Sequence, residues 1–345
     1  MERKLRSSSA NSKLAKDRSH LDGLLNIDKP RDRTSHDVVA YIRRLTRIPR
    51  VGHAGTLDPQ ATGVLLIGLG QGTKLTPFLH EYPKTYRATL QLGVRTDTFD
   101  SAGQVTEVRP VGEISRAEVE AALVSFRGPI EQIPPMHSAL KWQGRRLYTL
   151  ARQGVDVERQ PRRVHIFRLS LLECTAATLS LDVECSSGTY IRVLADDIGT
   201  RLGCGAHLSA LVRTAIGPFT QAQALALQAL ENAGGRGDWS QHVISLAAAV
   251  AAFPALVVTS AAAHAIGHGI APTRRGMAHV VGTFQAGETV AVLSLDGVLL
   301  AMAAASFGAA ELAQLRSDVP VIQLRRVWRD SASCAEGGRV GGDAP

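Results

Sequence analysis

One stretch of this chain gathers small residues around two groups that do chemistry. Gly52-His53-Ala54-Gly55-Thr56-Leu57-Asp58-Pro59-Gln60-Ala61-Thr62-Gly63 holds one carboxylate, Asp58, and one imidazole, His53, among glycines and a proline. A loop of this composition lets a ligand approach the backbone closely. A carboxylate placed there can act as a nucleophile or a base. Asp before Pro also starts ordinary turns, so the loop alone leaves both readings open. A second polar cluster, Ser187-Gly188-Thr189-Tyr190-Ile191-Arg192, falls where a strand pattern gives way to a helix. Sites are commonly built on such loops. Arg192 suits pairing with a carboxylate from another loop, and equally a plain surface position at a helix start.

Three other patterns fall short of chemistry. Gly68-x-Gly70-x-Gly72-Thr73-Lys74 lacks the GxxxxGK[ST] spacing of a phosphate loop. His264 and His268 stand four apart with no Glu or third ligand, so no metal site is expected. No GxSxG elbow accompanies the Ser, His and Asp residues, which argues against a hydrolase triad.

The elements that must position these loops alternate between strand and helix patterns. Thr34 and Ser35 can cap a helix with Val38, Val39, Ile42 and Leu45 on one face, ended by Pro49. Val64 to Ile67 reads as a short buried strand. Tyr86, Ala88, Leu90, Leu92 and Val94 alternate with polar residues, as a half-buried strand does. Ser115 to Glu118 is a capping box before the helix of Val119, Ala122, Leu123 and Phe126, with Gly128-Pro129 as its stop. Pro134-Pro135 opens a basic segment with Lys141, Arg145 and Arg146, followed by a short helix around Leu147 and Leu150. Leu181, Val183 and Cys185 mark another strand. Leu194, Ile198 and Leu202 mark the helix after Ser187-Gly188-Thr189. Beyond about Phe253 short β-runs dominate, including a hairpin turning at Asp296-Gly297 and a last strand in Pro320 to Val327. No internal repeat is visible.

Length and composition set the outer bounds. A chain of 345 residues suggests two domains and a real core. With 45% hydrophobic and 20% charged residues it reads as globular. Its longest apolar run, Leu246 to Ala252, is far short of the roughly 20 residues that cross a bilayer, and no signal peptide is seen. The net charge of +8 and the pI near 9.6 fit a polyanionic partner, nucleic acid first. Half of that surplus lies in residues 1–20, which hold six basic and two acidic residues. The four cysteines are scattered without a CxxC pair, which fits a reducing compartment rather than a zinc ribbon or disulfide scaffold. The expected divisions are a basic disordered tail (1–22), a main domain (23–250), a β-rich domain (251–329) and a Gly-rich disordered tail (330–345).

Gly52–Leu75 resembles the catalytic motif of the TruB-type tRNA pseudouridine synthases. Other segments match that family in the same order: Leu25-Asn26-Ile27-Asp28-Lys29-Pro30 with Thr34–Val39; Lys84-Thr85-Tyr86-Arg87 with Thr96-Asp97-Thr98-Phe99-Asp100; Pro134–Lys141; Cys185–Arg192; and Leu202–Leu208 with Leu211-Val212-Arg213-Thr214. The resemblance spans about residues 23 to 220. It implies an α+β fold, with a catalytic domain built on a mixed, mainly antiparallel sheet flanked by helices and loops. A small β-rich PUA-like RNA-binding domain would follow, matched more loosely. The implied activity is isomerisation of uridine 55 in the T arm of tRNA to pseudouridine, on a flipped-out base. No cofactor, metal, protein partner or membrane is implied, and a cytoplasmic monomer is expected.

The residues carry over position by position. Asp58 is the implied nucleophile, compatible with attack on the uracil ring, attack on C1′, or support of deprotonation at C2′. Arg192 is the partner that keeps it ionised, and Tyr86 stacks on the base and can move the C5 proton. His53 fills the space the base vacates; Tyr190 and Leu211 line the pocket; Lys29 is a further substrate-binding position. His137 stands where relatives often carry Tyr. The competing readings are a non-catalytic RNA binder or chaperone on the same fold, and a relative directed by a guide RNA.

Overall fold

Alternation of apolar and polar residues builds one large sheet, and the computed structural model describes it within residues 21–328, except 139, 237 and 238. The tails expected at the two ends lie outside the described residues except for Leu21 and Asp22, which are ordered: Leu21 packs against a core cluster and Asp22 Oδ1 accepts from Gln71 N at 2.7 Å. In chain order, β1 (Gly23–Lys29) leads into α1 (Ser35–Thr46), β2 (Val51–Ala54), β3 (Thr62–Leu69) and the short α2 (Thr76–Leu79). Next come β4 (Lys84–Leu92), the hairpin of β5 (Val94–Thr96) and β6 (Val105–Val108), α3 (Arg116–Val124) and β7 (Gly128–Gln132). A small basic hairpin, β8 (Lys141–Trp142) and β9 (Arg145–Arg146), precedes α4 (Leu147–Ala151). The long pair β10 (Arg162–Cys174) and β11 (Thr178–Cys185), then α5 (Ile191–Arg201) and β12 (Ala206–Ile216), complete the middle of the sheet. The strands run in the order β1-β3-β12-β4-β11-β10-β7, with β2 paired to β3. Most neighbours are antiparallel and β12–β3 is parallel, so the sheet is mixed as expected.

Burial follows the patterns. β4 and β11 alternate buried and half-buried residues, so one face packs inward on α5 and the other meets solvent. β3 is apolar on both faces and is buried on both. Leu65, Ile67 and Leu69 meet Val38, Val39 and Ile42 of α1, whereas Val64 and Leu66 face a separate cluster. Gly128-Pro129 was expected to end the helix, but α3 ends earlier and these residues open β7. A proline is tolerated there because β7 is the sheet edge and the residue opposite it, His165, has its carbonyl satisfied by Ser186 N at 2.8 Å.

After β13 (Phe219–Thr220), β14 (Leu225–Ala226), α6 (Leu227–Arg236) and α7 (Leu246–Ala249), a second sheet forms. It is built from β15 (Ala255–Val258), β16 (Met277–Val281), β17 (Thr289–Leu293), β18 (Leu299–Ala305) and β19 (Ile322–Val327), with α8 (Ser260–Gly267) packed on it. β17 and β18 are the hairpin read from Asp296-Gly297, and Gly297 takes the positive φ of 76° that the turn demands. The hydrogen-bonded sheets separate near Phe253, but their cores join. Ala255, Ala291, Leu299, Met302 and Trp328 pack with Leu24, Val64 and Leu66. The Trp328 Nε1 donates to Gln71 O at 3.3 Å.

Candidate active site

Asp58 sits at the tip of the β2–β3 connection, and the main chain around it is tied down on every side. Ser35, buried in the first turn of α1, donates to Leu57 O (3.2 Å) and accepts from Leu57 N (2.9 Å). Thr34 alone caps the helix, in a capping box with Asp37, which frees Ser35 for this task. On the other side, Pro59 O accepts from Asp32 N (2.9 Å) and from the Lys29 ammonium (3.2 Å). Ala61 N donates to Asp58 O at 3.1 Å. Gly63 has φ of 100°, and a Cβ there would run into the backbone of Arg213, so the return into β3 requires glycine.

Arg192 reaches this tip from the first turn of α5. Its side chain is 7% exposed, and Nη1 lies 3.2 Å from Asp58 Oδ2 and 3.3 Å from Asp100 Oδ2. Nη2 donates to His137 O at 2.8 Å, so the carbonyl and not the imidazole of His137 is what the site uses. Asp100 is itself held, accepting from Thr98 Oγ1 (2.7 Å) and Ala102 N (3.0 Å). One guanidinium therefore bridges two carboxylates from different loops. α5 is anchored by the paired bonds of Arg95 to Asp196, both 2.8 Å. Its entry is clamped by the buried Gln132 amide, which accepts from Tyr190 N (3.0 Å) and donates to Tyr190 O (3.3 Å).

Tyr86 lies in β4 on the face that packs toward α5, almost fully covered, and burial raises its hydroxyl pKa. Opposing that push, the Arg213 guanidinium lies beside it. Leu211, two residues before Arg213 on β12, is half-buried against the same core. The Arg192 guanidinium carbon is 5.8 Å from the centroid of the Tyr190 ring. His53 lies in β2; its Nδ1 is buried without a hydrogen-bond partner among the described residues. Burial first, then the Arg213 charge, pushes its pKa below the ordinary histidine value, which favours the neutral ring.

Asp58 and Arg192 are thus brought into direct contact, with Tyr190 beside them. Lys29 departs from the expectation. It is wholly buried, its ammonium donates to Pro30 O, Arg33 O and Pro59 O, and burial pushes its pKa down to about 8. It holds the Asp58 loop from below and does not reach the surface. The sequence reading missed Ser35, Asp100, Gln132 and Arg213 as parts of the site. Asp100 and Arg213 stood inside matched motifs, but their partners lie 92 and about 150 positions away in sequence. Among the described residues no group of three or more His, Cys, Asp or Glu is placed to hold a metal. No helix there is long and apolar enough to cross a membrane.

Comparison with known proteins identifies the family. Residues 43–191 match the model for the TruB family pseudouridylate synthase N-terminal domain, and residues 192–245 match that for the tRNA pseudouridylate synthase B C-terminal domain. The chain is 43% identical over 313 residues to the tRNA pseudouridine synthase B of Syntrophotalea carbinolica, covering 91% of this chain and 100% of that one. Against the Geobacter sulfurreducens protein of the same name it is 41% identical over 308 residues, covering 89% and 100%. Among solved structures, a Cbf5-Nop10-Gar1 complex aligns with a TM-score of 0.74 at 26% identity, covering 91% of this chain and 86% of that one.

Proposed function

The chain belongs to the TruB family of pseudouridine synthases, and on that premise we propose that it isomerises uridine 55 in the T arm of tRNA to pseudouridine. The C1′–N1 bond breaks, the uracil turns, and a C1′–C5 bond forms while the C5 proton moves to solvent and N1 takes one up. Nothing is oxidised or hydrolysed, so the chemistry calls for no cofactor. Asp58 is the nucleophile in this reading. The observation that carries it is the Arg192 bridge: a nearly buried guanidinium holds the Asp58 carboxylate in place and shares its charge with Asp100. The Asp58 side chain is still 44% exposed, open to an incoming nucleotide.

The remaining roles follow from placement. Tyr86 is a stacking surface with a hydroxyl for the C5 proton, and Leu211 and Tyr190 supply apolar contact. His53, favouring its neutral form and with a free ring nitrogen, suits the gap left in the T loop when the base leaves it. The exposed Lys141, Arg145 and Arg146 of the β8–β9 hairpin suit RNA phosphates. The five-stranded C-terminal unit (251–329) is read as a PUA-like RNA-binding domain beside the catalytic domain (23–250). The enzyme acts on tRNA as a cytoplasmic monomer with no protein partner.

Incubation of the purified chain with an unmodified tRNA transcript and no guide RNA tests this. Pseudouridine mapped at nucleotide resolution should appear at position 55, and Asp58→Asn should abolish it while still binding tRNA. Product elsewhere, or turnover by Asp58→Asn, refutes the assignment; activity that needs an added RNA points to the guide-directed reading.

A further inference from the structure

Arg213 is the bulkiest side chain in the described residues to be almost fully buried, at 1% exposed. No carboxylate forms an ion pair with it among those residues. Its donors go to main-chain oxygens: Nε to Val64 O (2.7 Å), Nη2 to Gly55 O (3.0 Å) and Nη1 to Thr56 O (3.4 Å). Two of those carbonyls belong to the Asp58 loop, and the third lies in β3, one residue past the short parallel ladder with β12. The backbone of Arg213 is registered opposite Tyr86 across the β12–β4 pair. The loop and the phenol are not bonded to each other directly by any contact described above, and this side chain lies against both.

Burying an unpaired cation is costly, and an apolar side chain of the same volume would fill the space more cheaply. What an apolar residue cannot do is donate to three carbonyls at once. A lysine here would bring a single ammonium where the guanidinium reaches the three carbonyls from three separate nitrogens in a rigid fork.

We propose that Arg213 is a positioning residue for the isomerisation, setting the spacing between the Asp58 loop and the Tyr86 phenol. This rests on the assignment of Asp58 and Tyr86 to the reaction. It adds that their relative placement is held by one buried side chain that itself does not touch the substrate.

The test compares Arg213→Lys and Arg213→Gln with the unchanged protein, all as full chains. Three readouts are taken: the single-turnover rate at saturating enzyme, the tRNA Kd, and the Tyr86 signal in ¹³Cζ-tyrosine NMR, assigned with Tyr86→Phe. Arg213→Lys should bind tRNA as the unchanged protein does, slow the chemical step by about 100-fold, as a misplacement of about 1 Å does, and shift the Tyr86 signal. Arg213→Gln should be slower still; if it does not fold, Arg213→Lys carries the test, because it keeps the charge. A rate within about 3-fold of the unchanged protein, a parallel loss of affinity and rate, or an unmoved Tyr86 signal each overturns the proposal. If the unchanged protein itself makes no pseudouridine, the functional assignment has failed, and the Tyr86 signal still reports whether Arg213 governs the phenol.

Discussion

Replacing Ser35 with alanine should separate the loop's support from its chemistry. The Ser35 hydroxyl makes both hydrogen bonds to Leu57, one as donor and one as acceptor, and both residues are buried. Alanine strips the partner from one N–H and one C=O at a position that water does not reach freely. Each buried group left unpaired costs about 1–3 kcal/mol, and with partial relaxation the sum is about 2–4 kcal/mol. Urea unfolding of the full chain measures this as a lower midpoint at unchanged slope. The chemistry should suffer as well, because Asp58 follows Leu57 directly. A shift of about 1 Å in a reacting group costs about 100-fold in rate, so single-turnover formation of pseudouridine should slow by that order while tRNA affinity holds. Thr34→Ala is the matched control. It removes the exposed bonds to Asp37 that cap α1, which costs about 1 kcal/mol, and it should leave the rate intact. A Ser35→Ala protein within about 0.5 kcal/mol of the parent, turning over at the parent's rate, would show that Leu57 is held by something else.

Tyr86→Phe and Tyr86→Ala should differ. Phe keeps the stacking, worth about 1–3 kcal/mol, so it should bind tRNA normally and react slowly, whereas Ala should lose base positioning too; Phe at the parent's rate removes the hydroxyl from the mechanism. Lys29→Met takes one donor from each of three carbonyls, of which Pro59 O keeps the Asp32 N–H, and should cost about 2–4 kcal/mol of stability with unchanged tRNA affinity. A weakened affinity with a shallower salt dependence would instead mean that Lys29 meets a phosphate. Stability should also fall in mild acid. Burial holds the folded His53 pKa below 6.5, so as pH drops past 6.5 the unfolded chain takes up the proton first. The stability present above that pH is lost toward the folded value. Comparing urea midpoints at about pH 5 and pH 7.5, the drop should be smaller in His53→Gln; an equal drop in both proteins would show that other groups carry the acid sensitivity.

Local patterns told a great deal about this chain. α1, α3, the β4 and β11 strands, α5 and the β17–β18 hairpin are each specified by residues within a turn or two of one another: a capping oxygen, a period of 3.6 or 2, a Gly where φ must be positive. The loop of Asp58 was legible for the same reason, since glycines and a proline announce a tight turn wherever they fall. Matched motifs along the chain then supplied the family and the candidate chemistry.

Only the tertiary structure decided which of two neighbouring residues does what. Thr34 and Ser35 both suit a helix cap, and the choice between them rests on Leu57, 22 residues away. Lys29 looks like a residue for an anionic substrate until β1 places it beneath Pro59 and closes it off from solvent. Asp100 and Arg213 carry no local mark of their roles, because a hydrogen bond across the sheet leaves no period in the sequence. The change near Phe253 marks where one sheet stops and the next begins, yet Trp328 and Met302 complete a core that starts at Leu24. Backbone conformation is set mainly by neighbours in the chain, so sequence reveals it. The partners of buried polar groups are set by whichever strand or loop the fold brings alongside, and that requires the folded chain.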